Sequence, residues 1–321
     1  MFGQNIFRLA IVLTLLFSWF VFATAAIGES GESYKPYKPT TPVTGSAGAI
    51  GSDTLNNMMA LWLETFQKFH PTVKISIEGK GSSTAPPALI EATAQLAPMS
   101  RAMKNKELDK FEERYGYPPT QFRVALDALA IFVNKDNPIV GLTLQEADAM
   151  FSINRKRWYV EDVDDWYKLG IPLGKVSLYG RNSASGTYGF FKKIVLKGGD
   201  FKSNVKEQPG SASVVQGVSI DPNGIGYSGI GYITSSVKVV PLGKREGEYY
   251  EINEENVLNG KYPLGRFLYL YVNKPPKEKL SPVVEEFIRF IFSEEGQHIV
   301  DKDGYMRVPA SIVEEELNKL L

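Results

Sequence analysis

Three short loops in this sequence carry glycine and hydroxyl residues directly before stretches with helical spacing. They are residues 51–54 (GSDT), 81–84 (GSST) and 181–187 (RNSASGT). The start of a helix leaves backbone N–H groups without partners and carries partial positive charge. Glycine lets a ligand approach the backbone, and serine or threonine adds a hydroxyl donor. Helix capping alone explains one such loop, but three loops with an arginine predict a cage of donors for a small tetrahedral anion.

The composition excludes several other kinds of site. The 321 residues include no cysteine, which excludes disulfides, Fe–S clusters and cysteine nucleophiles. The two histidines, His70 and His298, are both expected at the surface rather than as metal ligands. Basic and acidic residues number 36 each, and this neutral balance argues against nucleic-acid binding, which depends on a positive surface. We therefore expect no metal, no cofactor and no nucleic-acid partner.

The first 46 residues are expected to lie outside the folded part of the protein. After Arg8, residues 9–22 are almost wholly apolar, and Ala-Thr-Ala follows as a cleavage site. The apolar run is shorter than the ~20 residues that span a membrane, so residues 1–25 are interpreted as a signal peptide cleaved near Ala25. The mature protein would then be periplasmic or secreted. Residues 26–46, with a repeated Tyr-Lys-Pro, are predicted to be a flexible linker.

From residue 47 onward, strand-like and helix-like patterns alternate. This alternation predicts an α/β fold with mostly parallel sheets. Two long apolar strands, 122–133 and 267–272, are predicted to cross a hinge between two lobes. Residues 47–133 and 267–321 would form the first lobe, and residues 134–266 the second. Ligands of α/β sheets bind at the carboxyl ends of strands, so we expect the three loops to meet in the cleft between the lobes.

The chain from about residue 47 to residue 309 resembles the periplasmic phosphate-binding proteins of ABC phosphate importers. The strongest motif is R-x-x-x-S-G-T, at Arg181, Ser185, Gly186 and Thr187. The Gly-Ser-Ser of the second loop and the Thr-Leu that ends the first loop complete the set. Each motif is weak alone, but their order, their spacing and the arginine are specific together. The resemblance implies the two-lobed type II periplasmic-binding-protein fold, with two hinge-crossing strands and a ligand cleft between the lobes.

The resemblance also implies a ligand, inorganic phosphate, and a set of contacts from both lobes. Arg181 would bind two phosphate oxygens at once, and the residues after it would offer N–H groups and hydroxyls at a helix start. The implied contacts are Thr54, Leu55, Ser82, Arg181, Ser185, Gly186 and Thr187. Closure of the lobes would bury the anion. The protein would be a monomer that delivers phosphate to the membrane permease of an ABC transporter, without enzymatic activity.

One position departs from the family pattern. Many members have an acid after the strand that follows the second loop, where it accepts the proton of hydrogen phosphate. Here Ser100 stands at that position, followed by Arg101. Asp127 is the first candidate for the missing proton acceptor, and its alternative role is that of a buried acid that only supports the structure. Asp53 is the second candidate, although helix capping also explains it. Arg101 would be a second anion contact or the partner of that acid, and Ser83 is a further candidate contact.

Other functions stay open on the sequence alone. The same fold could bind another oxyanion, such as sulfate or molybdate. A secreted phosphatase-like enzyme would need a metal cluster or an activated nucleophile, and two isolated histidines without cysteine offer little for either. A surface interaction protein with a vestigial anion site is favoured only by the Tyr-Lys-Pro repeat. The glycine-rich run 224–231 lacks the strand–glycine–helix context of a dinucleotide site.

Overall fold

The computed structural model describes residues 34–39 and 42–321. The predicted signal peptide and the start of the predicted linker lie outside these residues. In the described ranges the strands are β1 Ser46–Ile50, β2 Lys74–Glu78, β3 Ala97–Met99, β4 Thr120–Asn134, β5 Leu142–Thr143, β6 Ser177–Arg181, β7 Lys206–Gln208, β8 Gly224–Gly229, β9 Val237–Val239, β10 Leu242–Arg245, β11 Glu248–Tyr250 and β12 Gly265–Val272.

The α-helices alternate with these strands. They are α1 Asn56–Phe69, α2 Ala85–Ile90, α3 Asn105–Tyr115, α4 Leu144–Phe151, α5 Gly186–Ile194, α6 Ser211–Ser219, α7 Glu254–Leu258, α8 Pro282–Ile291, α9 Glu294–Lys302 and α10 Ala310–Asn318. Single 3₁₀ turns occupy Asp53–Leu55, Ser82–Thr84, Trp166–Leu169 and Ile230–Tyr232. Within the described part of the chain, no helix is both long and apolar enough to cross a membrane.

The central sheet is mixed, whereas mostly parallel sheets were predicted. Its order is β3-β12-β4-β8-β6-β7, and β9 also pairs with β4. Strand β4 runs antiparallel to β12, β8 and β9, while β6 is parallel to β7 and β8. The difference arises because the two long strands predicted from the sequence pair with each other. Alternation of strands and helices along the chain does not reveal that pairing.

The paired strands β4 and β12 run through two hydrophobic cores. Ala125 pairs with Leu268, and both contribute to a core built on α1 and α8. At the next step Leu126 pairs with Phe267, and both contribute to a second core that includes residues of α4 and α5. The second core thus starts at residue 126 of β4, earlier than the predicted lobe boundary at residue 134. The lobe boundaries themselves stay a prediction.

Part of the predicted linker packs against the folded protein. Tyr37 is 7% exposed, and its hydroxyl donates to Glu286 Oε1 at 2.8 Å and lies 2.7 Å from His70 Nε2. The Tyr34 hydroxyl donates to the Val308 carbonyl at 2.6 Å. The prediction of a flexible linker is therefore wrong for residues 34–39, which we call the N-terminal strap. The tyrosines of this segment combine a large apolar ring with a polar hydroxyl, a combination that glycine and serine lack.

The same contacts bury His70, which was predicted at the surface. Its side chain lies under the strap, and its ring centroid is 4.5 Å from that of Phe66. The sequence places His70 next to a proline at the end of α1, which is a common position for an exposed residue. The burial depends on the strap, which is distant in the sequence. His298, by contrast, is exposed as predicted.

Residues 282–302 form two helices, α8 and α9, rather than one continuous helix. Ser293 caps α9, and its Oγ accepts a hydrogen bond from the Gly296 N–H at 3.2 Å. A Cβ at position 296 would lie 2.1 Å from the Phe290 carbonyl oxygen, so only glycine fits there. The Gly296 carbonyl in turn accepts from Trp62 Nε1 at 2.7 Å. This hydrogen bond joins α9 to α1.

Candidate functional site

The three loops predicted to form an anion cage meet at one place in the structure. Thr54 Oγ1 of the first loop lies 3.1 Å from Thr187 Oγ1 of the third loop. A Cβ at position 186 would lie 2.3 Å from Ser82 Oγ of the second loop, so Gly186 lets the second and third loops touch. Thr54, Thr187 and Ser82 are all buried. The first loop leads into α1 in the first core, and the second loop leads into α2, which packs in a separate small cluster. The third loop precedes α5, which packs in the second core.

Serine caps give the first and third loops their local shape. Ser52 Oγ accepts from the Thr54 N–H at 3.2 Å and starts the 3₁₀ turn that leads through buried Leu55 into α1. Ser185 Oγ accepts from the Thr187 N–H at 3.1 Å and starts α5. A hydroxyl that accepts a backbone N–H keeps its own hydrogen for another acceptor. The capping role that each loop would have alone is therefore compatible with anion binding.

The second loop turns at Gly81, whose φ of +105° favours glycine. A Cβ there would lie 2.6 Å from the Ala184 carbonyl oxygen, which also accepts from the Ser83 N–H at 3.0 Å. Ser82 Oγ accepts from the Ser100 N–H at 3.0 Å and lies 3.2 Å from Ser100 Oγ. Ser100, where many family members have an acid, therefore supports Ser82 with a neutral contact.

Arg181 is 2% exposed and is held by protein groups through both terminal nitrogens. Nη1 donates to Ser211 Oγ at 2.7 Å and lies 3.0 Å from Asp53 Oδ2, while Nη2 donates to the Pro209 carbonyl at 3.0 Å. Burial lowers the pKa of the Arg181 guanidinium, and the charge of Asp53 opposes that shift. The Nε atom is buried and has no hydrogen-bond partner among the described residues. An unpaired buried donor on a charged group is costly, so Nε is a donor that an anion would satisfy.

Asp53 joins the first loop to residues that follow the third loop. Its Oδ2 also accepts from the Ser211 N–H at 2.9 Å, at the start of α6, and its carbonyl accepts from the Tyr232 hydroxyl at 2.7 Å. The helix cap expected of Asp53 is supplied by Ser52 instead. Asp53 therefore neutralises Arg181 rather than capping α1.

Asp127 is fully buried and forms an ion pair that the sequence reasoning missed. Arg266 Nε and Nη2 lie 2.8 and 2.7 Å from Asp127 Oδ2, and the Ile230 N–H donates to Oδ1 at 3.2 Å. Arg266 Nη2 also donates to Thr187 Oγ1 at 3.0 Å, so the pair contacts the third loop. Arg266 directly precedes the apolar run 267–272, and the strand register places it opposite Asp127. The available signal was a basic residue at the start of β12 and an acidic residue in the apolar stretch of β4.

Arg101 does not partner Asp127, because Arg266 does. The Nη1 and Nη2 atoms of Arg101 each lie 2.7 Å from an oxygen of Glu107, and Nη2 of Arg101 lies 3.4 Å from Ser83 Oγ. Ser83 thus contacts Arg101 through its side chain and the third loop through its backbone. In the described part of the chain, no group of three or more acidic or histidine side chains could hold a metal ion.

Comparison with known proteins places the sequence among solute-binding proteins. Residues 36–295 match the family described as the PBP superfamily domain. The chain is 55% identical over 276 residues to the phosphate-binding protein PstS of Pseudomonas aeruginosa, covering 84% of this chain and 85% of that protein. It is 30% identical over 274 residues to the phosphate-binding protein PstS of Staphylococcus epidermidis, covering 84% and 81%.

Solved structures share the fold. A phosphate ABC transporter substrate-binding protein from Clostridium perfringens, solved with bound phosphate, matches with a TM-score of 0.71 at 28% identity. The match covers 82% of this chain and 100% of that chain. An ABC-type phosphate transport receptor from Vibrio cholerae matches with a TM-score of 0.63 at 22% identity, again over 82% and 100%. The predicted fold class, that of the type II periplasmic binding proteins, is confirmed.

Proposed function

Since the chain belongs to the PstS family of phosphate-binding proteins, we propose that it captures inorganic phosphate and delivers it to the membrane permease of an ABC transporter. The observation that carries the proposal is Arg181, a buried guanidinium whose Nε has no hydrogen-bond partner among the described residues, at the place where three donor-rich loops meet. Such a site suits an anion with several acceptor oxygens. Its relatives are named as binding proteins, and recognition of phosphate requires no covalent step.

The proposed contacts follow the predicted set, with one change in how Arg181 acts. Its Nη1 is occupied by Ser211 and Asp53, so the two-pronged contact would use Nε and the second hydrogen of Nη2. The hydroxyls of Thr54 and Thr187 lie together on the opposing loops. The full proposed set is Thr54, Leu55, Ser82, Arg181, Ser185, Gly186 and Thr187.

In this proposal, donors from two lobes close around the anion. The first and second loops would belong to the lobe of residues 47–133 and 267–321, and the third loop to that of residues 134–266. Strands β4 and β12 would carry the hinge, since they run through both cores. A closed, fully paired shell would supply the free energy that micromolar affinity requires, about 8 kcal/mol.

Asp127 is proposed as the group that accepts the proton of hydrogen phosphate. It is fully buried, and among the described residues its Oδ1 receives a single hydrogen bond, from the Ile230 N–H at 3.2 Å. A Cβ at position 229 would lie 3.1 Å from Thr54 Cγ2 and 3.2 Å from Asp127 Oδ2, so the acid lies near the first loop. Sulfate has no proton to share with such a carboxylate, so its negative charge would face the carboxylate oxygens with no hydrogen bond between them. The alternative ligands, sulfate and molybdate, would not gain from this group.

The mature protein is proposed to act outside the cytoplasm. The apolar segment before Ala25 and the A-x-A site support export and cleavage there. Intact mass spectrometry of the exported protein measures the cleavage point directly. A mass that retains residues 1–25 would contradict cleavage.

Calorimetric titration of the mature protein, freed of bound anion by dialysis, tests the main proposal. We expect one phosphate bound per chain, and weaker binding of sulfate and molybdate. Arg181→Ala should weaken phosphate binding by at least about 100-fold, because it removes charge-assisted hydrogen bonds in a buried site. Arg245→Ala is the matched control, since that side chain is 81% exposed and approaches only Glu248, at 3.8 Å.

Each outcome of this titration separates the alternatives. Absence of phosphate binding by the wild type would overturn the proposed function. Undiminished binding by a folded Arg181→Ala variant, checked by circular dichroism, would show that the third loop is not the site. Tighter binding of sulfate or molybdate than of phosphate would favour the other oxyanions.

A further inference from the structure

A second cavity adjoins the anion site and is not used by the proposed function. Its volume is about 440 Å³, and its walls come from residues 101–105, α5 and β12. Its charged lining residues are all basic: Arg101, Lys104, Lys193 and Arg266. None of the described residues that line it is acidic. The cavity therefore has the electrostatic character of an anion site.

Two of the four charges that face this cavity are neutralised by the protein, Arg101 by Glu107 and Arg266 by Asp127. Lys104 has no ion-pair partner of its own among the described residues, although it lies near the Glu107 carboxylate that Arg101 already occupies. Lys193 has no ion-pair partner among the described residues and is exposed. The side chain of Arg266 is 3% exposed, and its Nη1 is buried without a hydrogen-bond partner in the described part of the chain. A buried, unpaired guanidinium nitrogen beside a lysine points to an anionic ligand.

The remaining walls are apolar and aromatic. Phe190, Phe267 and Tyr269 line the cavity, and the Arg266 guanidinium lies 5.2 Å from the centre of the Phe190 ring. The volume falls within the range of about 300–1,000 Å³ that is typical of pockets for small organic molecules. An inorganic oxyanion would use only the charged part of this lining. The ligand that fits both halves of the lining carries an anionic group and a flat apolar body.

We propose that this cavity is a second ligand site, which takes a phosphate monoester with an aromatic body. The phosphoryl group would be bound by Arg266 and by the ammonium groups of Lys104 and Lys193. The aromatic body would contact Phe190 and Tyr269. Because Arg266 Nη2 also donates to Thr187, an occupant here would contact a residue that supports the inner site. The proposal does not depend on phosphate being the inner ligand.

Titration of phenyl phosphate into the mature protein, saturated beforehand with inorganic phosphate, tests the second site. We expect one phenyl phosphate bound per chain. Lys193→Gln should weaken phenyl phosphate binding about fivefold, because one exposed charge-assisted hydrogen bond is lost. The affinity for inorganic phosphate should not change. Lys244→Gln, at an exposed lysine outside the cavity, is the matched control.

A steric pair of variants tests the location. Gly189 lines the cavity, and a Cβ there would lie 3.8 Å from Arg101 Cδ, an ordinary contact. Gly189→Ala should therefore keep phenyl phosphate binding, while Gly189→Leu should fill the cavity and abolish it. Both variants should still bind inorganic phosphate.

Three results would overturn the second site. They are no binding of phenyl phosphate to the phosphate-saturated protein, binding that inorganic phosphate fully displaces, and unchanged binding in both Lys193→Gln and Gly189→Leu. If inorganic phosphate itself fails to bind, the same variants titrated with phenyl phosphate alone still test the cavity. Failure of the inner site and failure of the second site are thus distinguishable.

Discussion

Two arginine–aspartate pairs organise the anion site at the scale of single residues. Asp53 neutralises Arg181, and Asp127 neutralises Arg266. Within the described part of the chain, each arginine nevertheless keeps one nitrogen without a hydrogen-bond partner, Nε of Arg181 and Nη1 of Arg266. Paired aspartates lower the cost of burying these charges, while the free nitrogens stay available to a ligand. The pairs therefore hold donors in place before an anion arrives.

The Asp127–Arg266 pair leads to a prediction about selectivity. We expect Asp127→Asn to reduce the preference for phosphate over sulfate by about tenfold or more, because a penalty against the fully ionised anion is removed. The variant should also lower the free energy of unfolding, since loss of one partner of a buried ion pair costs about 3–5 kcal/mol. Titration with both anions and thermal unfolding measure the two effects.

Asp136→Asn serves as the control for this prediction. Asp136 is exposed and pairs only with its neighbour Lys135. An unchanged phosphate-to-sulfate ratio in Asp127→Asn, together with lowered stability, would assign Asp127 a purely structural role.

At the scale of elements, the N-terminal strap shows how a short segment is held by a few polar contacts. The Val43 N–H donates to His70 Nδ1 at 3.3 Å, so His70 is neutral with its hydrogen on Nε2, facing the Tyr37 hydroxyl. That hydroxyl in turn donates to Glu286. Burial lowers the pKa of His70, and the charge of Glu286 opposes that shift. The strap therefore depends on a neutral histidine.

This arrangement predicts how stability depends on pH. A histidine whose pKa is lowered by folding contributes stability above its unfolded pKa of about 6.5, and that contribution is lost as the pH falls. The difference in unfolding temperature between wild type and His70→Gln should therefore shrink as the pH falls from about 8 to 5. Differential scanning fluorimetry across this range measures the difference.

The chain offers a matched control in its other histidine. His298 is exposed, and His298→Gln should leave the pH profile of the wild type unchanged. If the unfolding temperatures of wild type and His70→Gln changed in parallel with pH, the titration of His70 would not control the stability that the strap contributes.

At the scale of the whole molecule, the contacts between loops link two cores that share only a few strands. The contact between Thr54 and Thr187, and the bonds from Asp53 to Arg181 and Tyr232, join residues from the two proposed lobes. Strands β4 and β12 are continuous through both cores. An anion held by donors from both proposed lobes would bind better when the loops touch, so its binding would favour that arrangement.

Small-angle scattering tests this proposed closure. We expect the radius of gyration to fall when phosphate is added to the anion-free protein. Tyr232→Phe removes the 2.7 Å bond to the Asp53 carbonyl without a change of charge. It should raise the phosphate concentration needed for compaction about fivefold, as expected for one net hydrogen bond.

Tyr167→Phe is the control, since Tyr167 is 66% exposed. It should leave the phosphate dependence of the scattering as in the wild type. A radius of gyration that does not change with phosphate would contradict closure between lobes.

Local chemistry was sufficient to predict much of this protein from its sequence. The loops at Thr54, Ser82 and Arg181 were recognisable because capping residues and glycines act on their own neighbours. The strands β4 and β12 were recognisable because they are long and apolar, and the α/β class followed from alternation. The family motif combined these local signals. All of these features depend on residues that are close together in the chain.

Only the tertiary structure decided which distant residues become partners. Arg266 is 139 positions from Asp127 in the chain, and Tyr37 is 249 positions from Glu286. Antiparallel pairing of β4 with β12 creates the first contact, and packing of the strap creates the second. Burial makes both contacts necessary, because a charged or polar group removed from water must find a partner wherever the fold supplies one. The donor loops are thus a property of the sequence, while the neutralisation of their arginines is a property of the fold.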